Sequence, residues 1–228
     1  MYDLELREKE IFETIKKIKN IDFVIIGGYA VNVYTPPRFS VDADIVVLDS
    51  AAAKKAAMIL EMAQYTKAAE SNAQTPYHGE FVRYEKKIEK GFTVSVDILI
   101  GKVLDRQTGA FVSAEWVFKN SSVKTLQGKT MTEHIKVRVP SPEALIVMKL
   151  LSCRTTDMRD IFMMIVHVGD FSFIKKEVSE RADFKQHYTK LKEKIISKDF
   201  KNNLQGVFGF VLEQTFNKHK ELIIKLGE

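Results

Sequence analysis

Two aspartates one residue apart, Asp42 and Asp44, stand inside the otherwise apolar stretch VDADIVVL, residues 41–48. Side chains on a β-strand alternate between faces, so both carboxylates share one face while Val41, Ala43 and Ile45 are expected to turn the other way, into a core. The strand repeat sets the two acids about 7 Å apart. Like charges so placed repel, and they lose hydration where they are partly buried. A divalent cation offsets both costs. Hard carboxylate oxygens suit magnesium, which is typically held by one or two carboxylates together with substrate phosphates. Asp97 has the same setting in FTVSVDILIG. If its strand lies beside the first, three converging carboxylates can hold two metals about 4 Å apart, an arrangement that clamps both oxygens of an in-line phosphoryl displacement. An Asp-x-Asp also marks turns and solvated faces, but a solvated strand face would more usually mix Lys, Thr and Glu than carry apolar flanks.

Other residues suited to phosphate chemistry lie just upstream. Gly27-Gly28 ends the apolar run Phe23–Ile26. Glycine lets a backbone approach a ligand closely, and a following helix offers free N–H groups to a phosphate. A tight strand-to-helix turn explains the pair equally well. The run Gly27-Gly28-Tyr29-Ala30-Val31-Asn32 lacks the Gly-x-Gly-x-x-Gly spacing of a dinucleotide-binding turn, and a Walker loop is absent. Arg38 follows Pro36-Pro37 in a polar loop, where it serves either a phosphate or only solvent.

These residues need positioning elements. Leu4, Ile11, Ile15 and Ile18 recur at helical spacing and predict an amphipathic helix over 4–18. Strands are expected at 23–26, 41–48, 80–86, 92–100 and 135–139, with Gly91 as a turn. A short helix is expected from Tyr29, broken at Pro36-Pro37, and an Ala-rich helix from a Ser50 cap to about Gln64. Beyond Pro140 only helical periods appear: 143–152, 157–168, then Lys-rich stretches to Leu226. The boundary proposed is therefore 1–139 for a mixed catalytic domain and 140–228 for a helical one, packed together because no long linker separates them.

Bulk properties narrow the class. A chain of 228 residues can bury a sizeable core, and 45% hydrophobic with 29% charged residues argues against global disorder. The formal charge of +5 mildly favours acidic partners such as nucleotides or nucleic acid, although a Lys-rich solvated surface accounts for it as well. Cys153 is the single cysteine, so no intrachain disulfide forms, which fits a cytoplasmic protein; its apolar surroundings predict a buried small side chain. The charged start MYDLELREKE is not a signal peptide, and no apolar run is long enough to span a bilayer, so no membrane partner is expected. His78 and His134 are isolated, with no His/Cys cluster to suggest zinc. Trp116 and the phenylalanines read as core.

Strand, Gly-Gly, helix, a loop with Arg38, an Asp-x-Asp strand and a later strand Asp together resemble the nucleotidyltransferase superfamily, with its DNA polymerase β-like fold. Thirteen residues separate Gly28 from Asp42, as in that pattern. The stretch GGYAVNVYTPPRFSVDADIVV is most similar to the signature of the AbiEii/AbiGii-like toxin nucleotidyltransferases, carried here by Gly27, Gly28, Arg38, Ser40, Asp42 and Asp44. In the helical half, Lys149, Arg159 and Asp160 match a lysine followed by a basic-Asp pair. The resemblance covers roughly 21–165. It departs where Met163 and Met164 replace a further acid often found one turn after the basic-Asp pair.

The resemblance implies an α+β nucleotidyltransferase fold, a mixed β-sheet flanked by helices and followed by a helical C-terminal region. It implies transfer of a nucleoside monophosphate from a nucleoside triphosphate to a hydroxyl, with release of pyrophosphate. Asp42, Asp44 and Asp97 would hold two magnesium ions, with Asp97 as general base. Gly27, Gly28, Arg38, Ser40 and Lys149 would bind the nucleotide. The implied acceptor is transfer RNA, another RNA or a protein, with a small molecule also compatible, and the implied partner is an antitoxin. Lys149 interrupts an apolar helix, where snorkelling is a sufficient structural reason for it; Arg154 is the alternative phosphate contact, and Asp160 can pair with Arg159 or Lys149. Lys175, Lys176, Lys185, Lys190, Lys192 and Lys194 suit RNA or a plain helix surface. The alternative function is a non-catalytic nucleotide- or RNA-binding protein on the same fold; a purely structural domain leaves the acid pair unexplained.

Overall fold

The computed structural model describes residues 2–71 and 80–228; His78 lies outside the described residues. Two compact units emerge. The first comprises 1–33, 37–104 and 112–140, and the second 34–36, 105–111 and 141–228.

In the first unit the chain runs α1 (Tyr2–Ile18), β1 (Val24–Ile26), α2 (Gly27–Val31), β2 (Asp42–Val47), α3 (Ser50–Met62), β3 (Thr66–Ser71), β4 (Glu80–Lys87), β5 (Thr93–Ile100) and β6 (Lys102–Leu104). It continues through β7 (Phe111–Ser113), whose first residue is grouped with the second unit, α4 (Ala114–Lys119), β8 (Ser121–Leu126) and β9 (Ile135–Pro140). Five strands form a mixed sheet in the order β1-β2-β5-β4-β3. β2 and β5 are parallel and every other pair is antiparallel. A parallel neighbour cannot be reached by a tight hairpin, and here α3, β3 and β4 intervene between the two strands.

One sheet face is closed by α1 and α3, which pack on each other and on β5. Beneath them Ala43, Ile45, Val47, Val94, Val96 and Ile98 are buried. Each isoleucine so buried contributes about 1.5–3 kcal/mol. Asp42, Asp44 and Asp97 are among the alternate residues of β2 and β5, on the opposite face. β8 and β9 form a second, two-stranded ladder beside β1.

Glu8 is fully buried on the packed side of α1. It accepts hydrogen bonds from the Lys129 N–H at 2.6 Å, the Thr130 N–H at 2.8 Å and the Thr130 hydroxyl at 2.7 Å. The approach is close enough that a Cβ on Gly128 would lie 2.9 Å from the Glu8 carboxyl carbon. Three donors directed at one carboxylate hold the loop between β8 and β9 against α1.

The structure differs from several sequence expectations. Val41 precedes β2 and is 53% exposed rather than inward, because the strand begins only at Asp42. Asp49, not Ser50, caps α3, its carboxylate accepting the Ala52 N–H at 2.8 Å. Trp116 is half-buried, and Phe111 and Phe210 are exposed. Cys153 is also half-buried, because it ends a helix with φ +50° instead of continuing its packed face.

The second unit is built from α5 (Pro142–Ser152), α6 (Thr155–Met164), α7 (Phe171–Ser179), α8 (Phe184–Ile196), α9 (Phe200–Phe208) and α10 (Glu213–Leu226). Ser141 caps α5, with proline at its first position, where no N–H is needed. Phe162 anchors the interior, with the rings of Phe200, Phe216 and His219 about it at 5.0–5.2 Å. Residues 171–228, beyond the stretch that carries the resemblance, supply packing partners of α5 and α6. Among the described residues no helix is long and apolar enough to cross a membrane.

Lys149, on α5, is buried. Its ammonium lies 2.8 Å from an oxygen of Asp157 and 2.8 Å from one of Asp160, both on α6. Burial alone would weaken its hold on the proton, but the charges of Asp160 and Asp157 outweigh that and raise its pKa. Asp157 also accepts from the Ser152 hydroxyl at 2.7 Å. The cluster ties α5 to α6 and gives a structural reason for a lysine in an apolar helix.

Two outcomes are expected in urea titrations. Glu8→Gln places an amide among three donors and should cost about 1–3 kcal/mol. Lys149→Met leaves two buried carboxylates without their cation and should cost roughly 3–5 kcal/mol; a variant that also carries Asp157→Asn and Asp160→Asn should recover much of the loss. Unchanged midpoints would show that neither cluster holds the fold.

Candidate active site

The parallel register of β2 and β5 places Asp44 directly opposite Asp97, and Asp42 opposite Ser95. One oxygen from each of Asp42, Asp44 and Asp97 falls within a group whose members all lie within 4.8 Å of one another. Among the described residues no other group of three or more His, Cys, Asp or Glu converges in this way. All three acids are half-buried. Desolvation raises the pKa of Asp42, the charge of Asp97 adds to the rise, and Arg83 opposes it. The donor set consists of hard oxygens, close together and only partly solvated. These residues fit a divalent cation of the magnesium type.

β1 delivers the glycine turn to this cluster. Ile26, its last residue, pairs with Asp44, so Gly27 begins α2 beside that acid. Gly27 has φ +66°, a conformation that favours glycine, and a Cβ there would lie 2.1 Å from an oxygen of Asp44. Gly28 has no such backbone demand. Its role is one of space, since a Cβ would meet the Ser40 hydroxyl at 2.4 Å and the Arg38 guanidinium at 3.3 Å. Both glycines therefore let the backbone lie against polar side chains. The helix begins at Gly27 itself, earlier than expected, and runs for only five residues.

The loop bearing Arg38 and Ser40 is fixed by a residue the sequence reading passed over. The buried Asn32 donates from Nδ2 to the Arg38 carbonyl at 2.8 Å and accepts the Arg38 N–H at 3.1 Å. These two hydrogen bonds hold the backbone of Arg38, whose guanidinium also donates to the Phe39 carbonyl at 3.3 Å. An amide side chain between two valines, in a stretch expected to be helical, was the available signal, because a buried polar group must find partners.

Arg83 was also missed. It faces Asp97 in the antiparallel β4–β5 register and grips it with two parallel bonds, Nε to Oδ1 and Nη2 to Oδ2, each 2.7 Å. Those bonds hold the guanidinium protonated even more firmly than an ordinary arginine. Nothing local in EFVRYEKK distinguishes Arg83 from its basic neighbours.

Lys149, Arg154, Arg159 and Asp160 belong to the helical unit. Asp160 pairs with Lys149, as described above. The Arg154 guanidinium donates to Asp105 at 2.7 Å, and the same carboxylate, through its other oxygen, accepts the N–H groups of Gln107 and Thr108 at 3.0 and 2.9 Å. The Lys149 charge is thus matched within its own unit, an explanation that competes with the nucleotide contact inferred from sequence.

Among curated proteins, none matches this chain. Among solved structures it is similar to MenT4, a nucleotidyltransferase toxin from Mycobacterium tuberculosis, at 12% identity and TM-score 0.60, with 100% of this chain and 85% of that one covered. An antigenic nucleotidyltransferase-like protein from Paracoccidioides brasiliensis aligns at 18% identity over 92% of this chain and 97% of the other, but its TM-score of 0.47 bears no weight. At such identities the MenT4 likeness speaks for the fold alone. A family model described as nucleotidyl transferase AbiEii toxin, type IV toxin–antitoxin system, matches residues 12–223. With all but its two ends inside that match, the chain belongs to the AbiEii nucleotidyl transferase toxin family.

Proposed function

We propose that this protein is a magnesium-dependent nucleotidyltransferase that moves a nucleoside monophosphate from a nucleoside triphosphate to a hydroxyl of an RNA, transfer RNA first, or of a protein, and that it works in the cytoplasm opposite an antitoxin. The observation that carries the reading is the convergence of Asp42, Asp44 and Asp97 on one sheet face, with the Gly27 backbone against Asp44. The type IV toxin–antitoxin description of the family supports the antitoxin partner.

Asp42, Asp44 and Asp97 would hold the magnesium. When bound, it supplies positive charge to the triphosphate and the leaving pyrophosphate, and acidifies the attacking hydroxyl. The side chains have tasks of their own. Gly27 and Gly28 keep the backbone bare, so a phosphate can approach without meeting a Cβ. Arg38, its backbone pinned by Asn32, offers a guanidinium beside Gly28 and can form charge-assisted bonds to phosphate oxygens. The Ser40 hydroxyl, over Gly28, can donate to the same group. Asp97 accepts the proton of the attacking hydroxyl as general base.

The test is incubation with each labelled nucleoside triphosphate, magnesium and total cell extract, followed by separation of RNA from protein. Label should enter one fraction and disappear with chelator. Asp42→Asn and Asp44→Asn should each cut transfer roughly a thousandfold or more, the equivalent of several kcal/mol. Each should leave the metal-free fold as stable as before or slightly more so, since one of three clustered charges is gone. Wild-type labelling by either variant would end the assignment, and magnesium-dependent triphosphate binding without any transfer would favour the non-catalytic alternative. Gly27→Ala should lose transfer and about 1–2 kcal/mol of stability, because alanine resists a positive φ and collides with Asp44; full activity would separate the glycine turn from the site.

A further inference from the structure

The reaction as proposed gives Arg83 no task, yet it makes the tightest contact in the acid cluster. Both Asp97 oxygens are gripped at 2.7 Å. The grip is set by strand register rather than by a loop, because Arg83 and Asp97 face each other across β4 and β5. Asp97 is one of three carboxylates whose ligand oxygens lie within 4.8 Å of one another, and the guanidinium shields the one it holds. The two partners differ in exposure: the Arg83 side chain is 37% exposed and that of Asp97 14%. The cation therefore has water on one side and can leave the pair without unfolding the sheet, whereas the acid cannot leave.

We propose that Arg83 is the resident counter-cation of Asp97 within the acid cluster and competes with a divalent cation for it, so that metal loads at Asp97 by displacing the guanidinium. This rests on the reading of Asp42, Asp44 and Asp97 as a metal site. The physical basis is that two cations drawing on one carboxylate repel each other, and the guanidinium already takes one lone pair of each oxygen. Arg83 keeps the metal-free sheet from carrying unshielded like charges across adjacent strands, and it lowers the affinity of the site for metal. A residue that merely orients Asp97 would do the reverse: its loss would leave the ligand disordered and weaken metal binding. The sign of the effect separates the two roles.

The experiment is a manganese titration of the metal-free full chain without nucleotide, read by calorimetry, together with thermal unfolding in chelator and in saturating manganese. Arg83→Met should bind manganese about tenfold more tightly than wild type, the scale expected when a partly exposed ion pair no longer competes. It should melt below wild type in chelator, and manganese should close that gap. Arg83→Lys keeps the charge and loses the two-pronged grip, so its affinity should fall between the two; if the methionine variant does not fold, the lysine variant must bind more tightly than wild type. Equal or weaker binding, or a melting gap that manganese leaves unchanged, overturns the inference. The double variant Asp42→Asn, Asp44→Asn is the control for the underlying reading. Manganese binding that survives it intact overturns the metal site and this inference together, whereas loss of binding there with no gain in Arg83→Met overturns this inference alone.

Discussion

The parallel pairing of β2 with β5 sets the terms for the rest of the first unit. It brings Asp44 face to face with Asp97. Like charges directly opposite each other across a ladder are unfavourable, and the half-buried setting removes part of the hydration that would soften the repulsion. The surrounding structure answers that cost from several directions. Arg83 grips Asp97 from β4 on its other side. β1 ends so that Gly27 lies against Asp44 with no side chain between them. On the reverse face, Ile45, Val96 and Ile98 are fully packed under α1 and α3, and this apolar burial holds the strands in a register their acids alone would resist.

Two of the ionic clusters among the described residues stand in contrasting surroundings. Around Lys149, a buried cation meets two carboxylates, and the Ser152 hydroxyl helps satisfy Asp157. All of these groups lie within the helical unit, so the cluster fastens α5 to α6. Around Asp97, one oxygen from each of three carboxylates on two adjacent strands converges, and Arg83 grips one of the acids. The first cluster is buried between two helices, whereas the acids of the second are half-buried and present hard oxygens that suit a divalent cation.

Much of the candidate site was legible because its signals are local. Alternation placed Asp42 and Asp44 on one face, and the Gly-Gly pair marked a sharp turn. The residues that were missed act through distant partners. Asn32 matters because the chain returns to it at Arg38, and Arg83 matters because β4 lies beside β5. In the fold, β3 and β8 escaped notice because TKAAES and SSVKTL lack apolar alternation. β3 is an edge strand, and the middle of β8 is exposed, so neither needs an apolar face. The cap of α3 was misplaced by one residue because Asp49 and Ser50 are both good caps, and only backbone geometry chooses between them.

The sequence by itself determined which side chains share a face of a strand, where the chain must turn, and where mixed structure gives way to helices, since each follows from the backbone repeat and the identity of a few neighbouring residues. Tertiary structure alone decided that β2 neighbours β5, that Arg83 rather than solvent meets Asp97, and that Lys149 is held by Asp157 and Asp160. Strand order and ion pairing depend on how buried surfaces from remote segments fit together, and that fit leaves no periodic trace in a single segment.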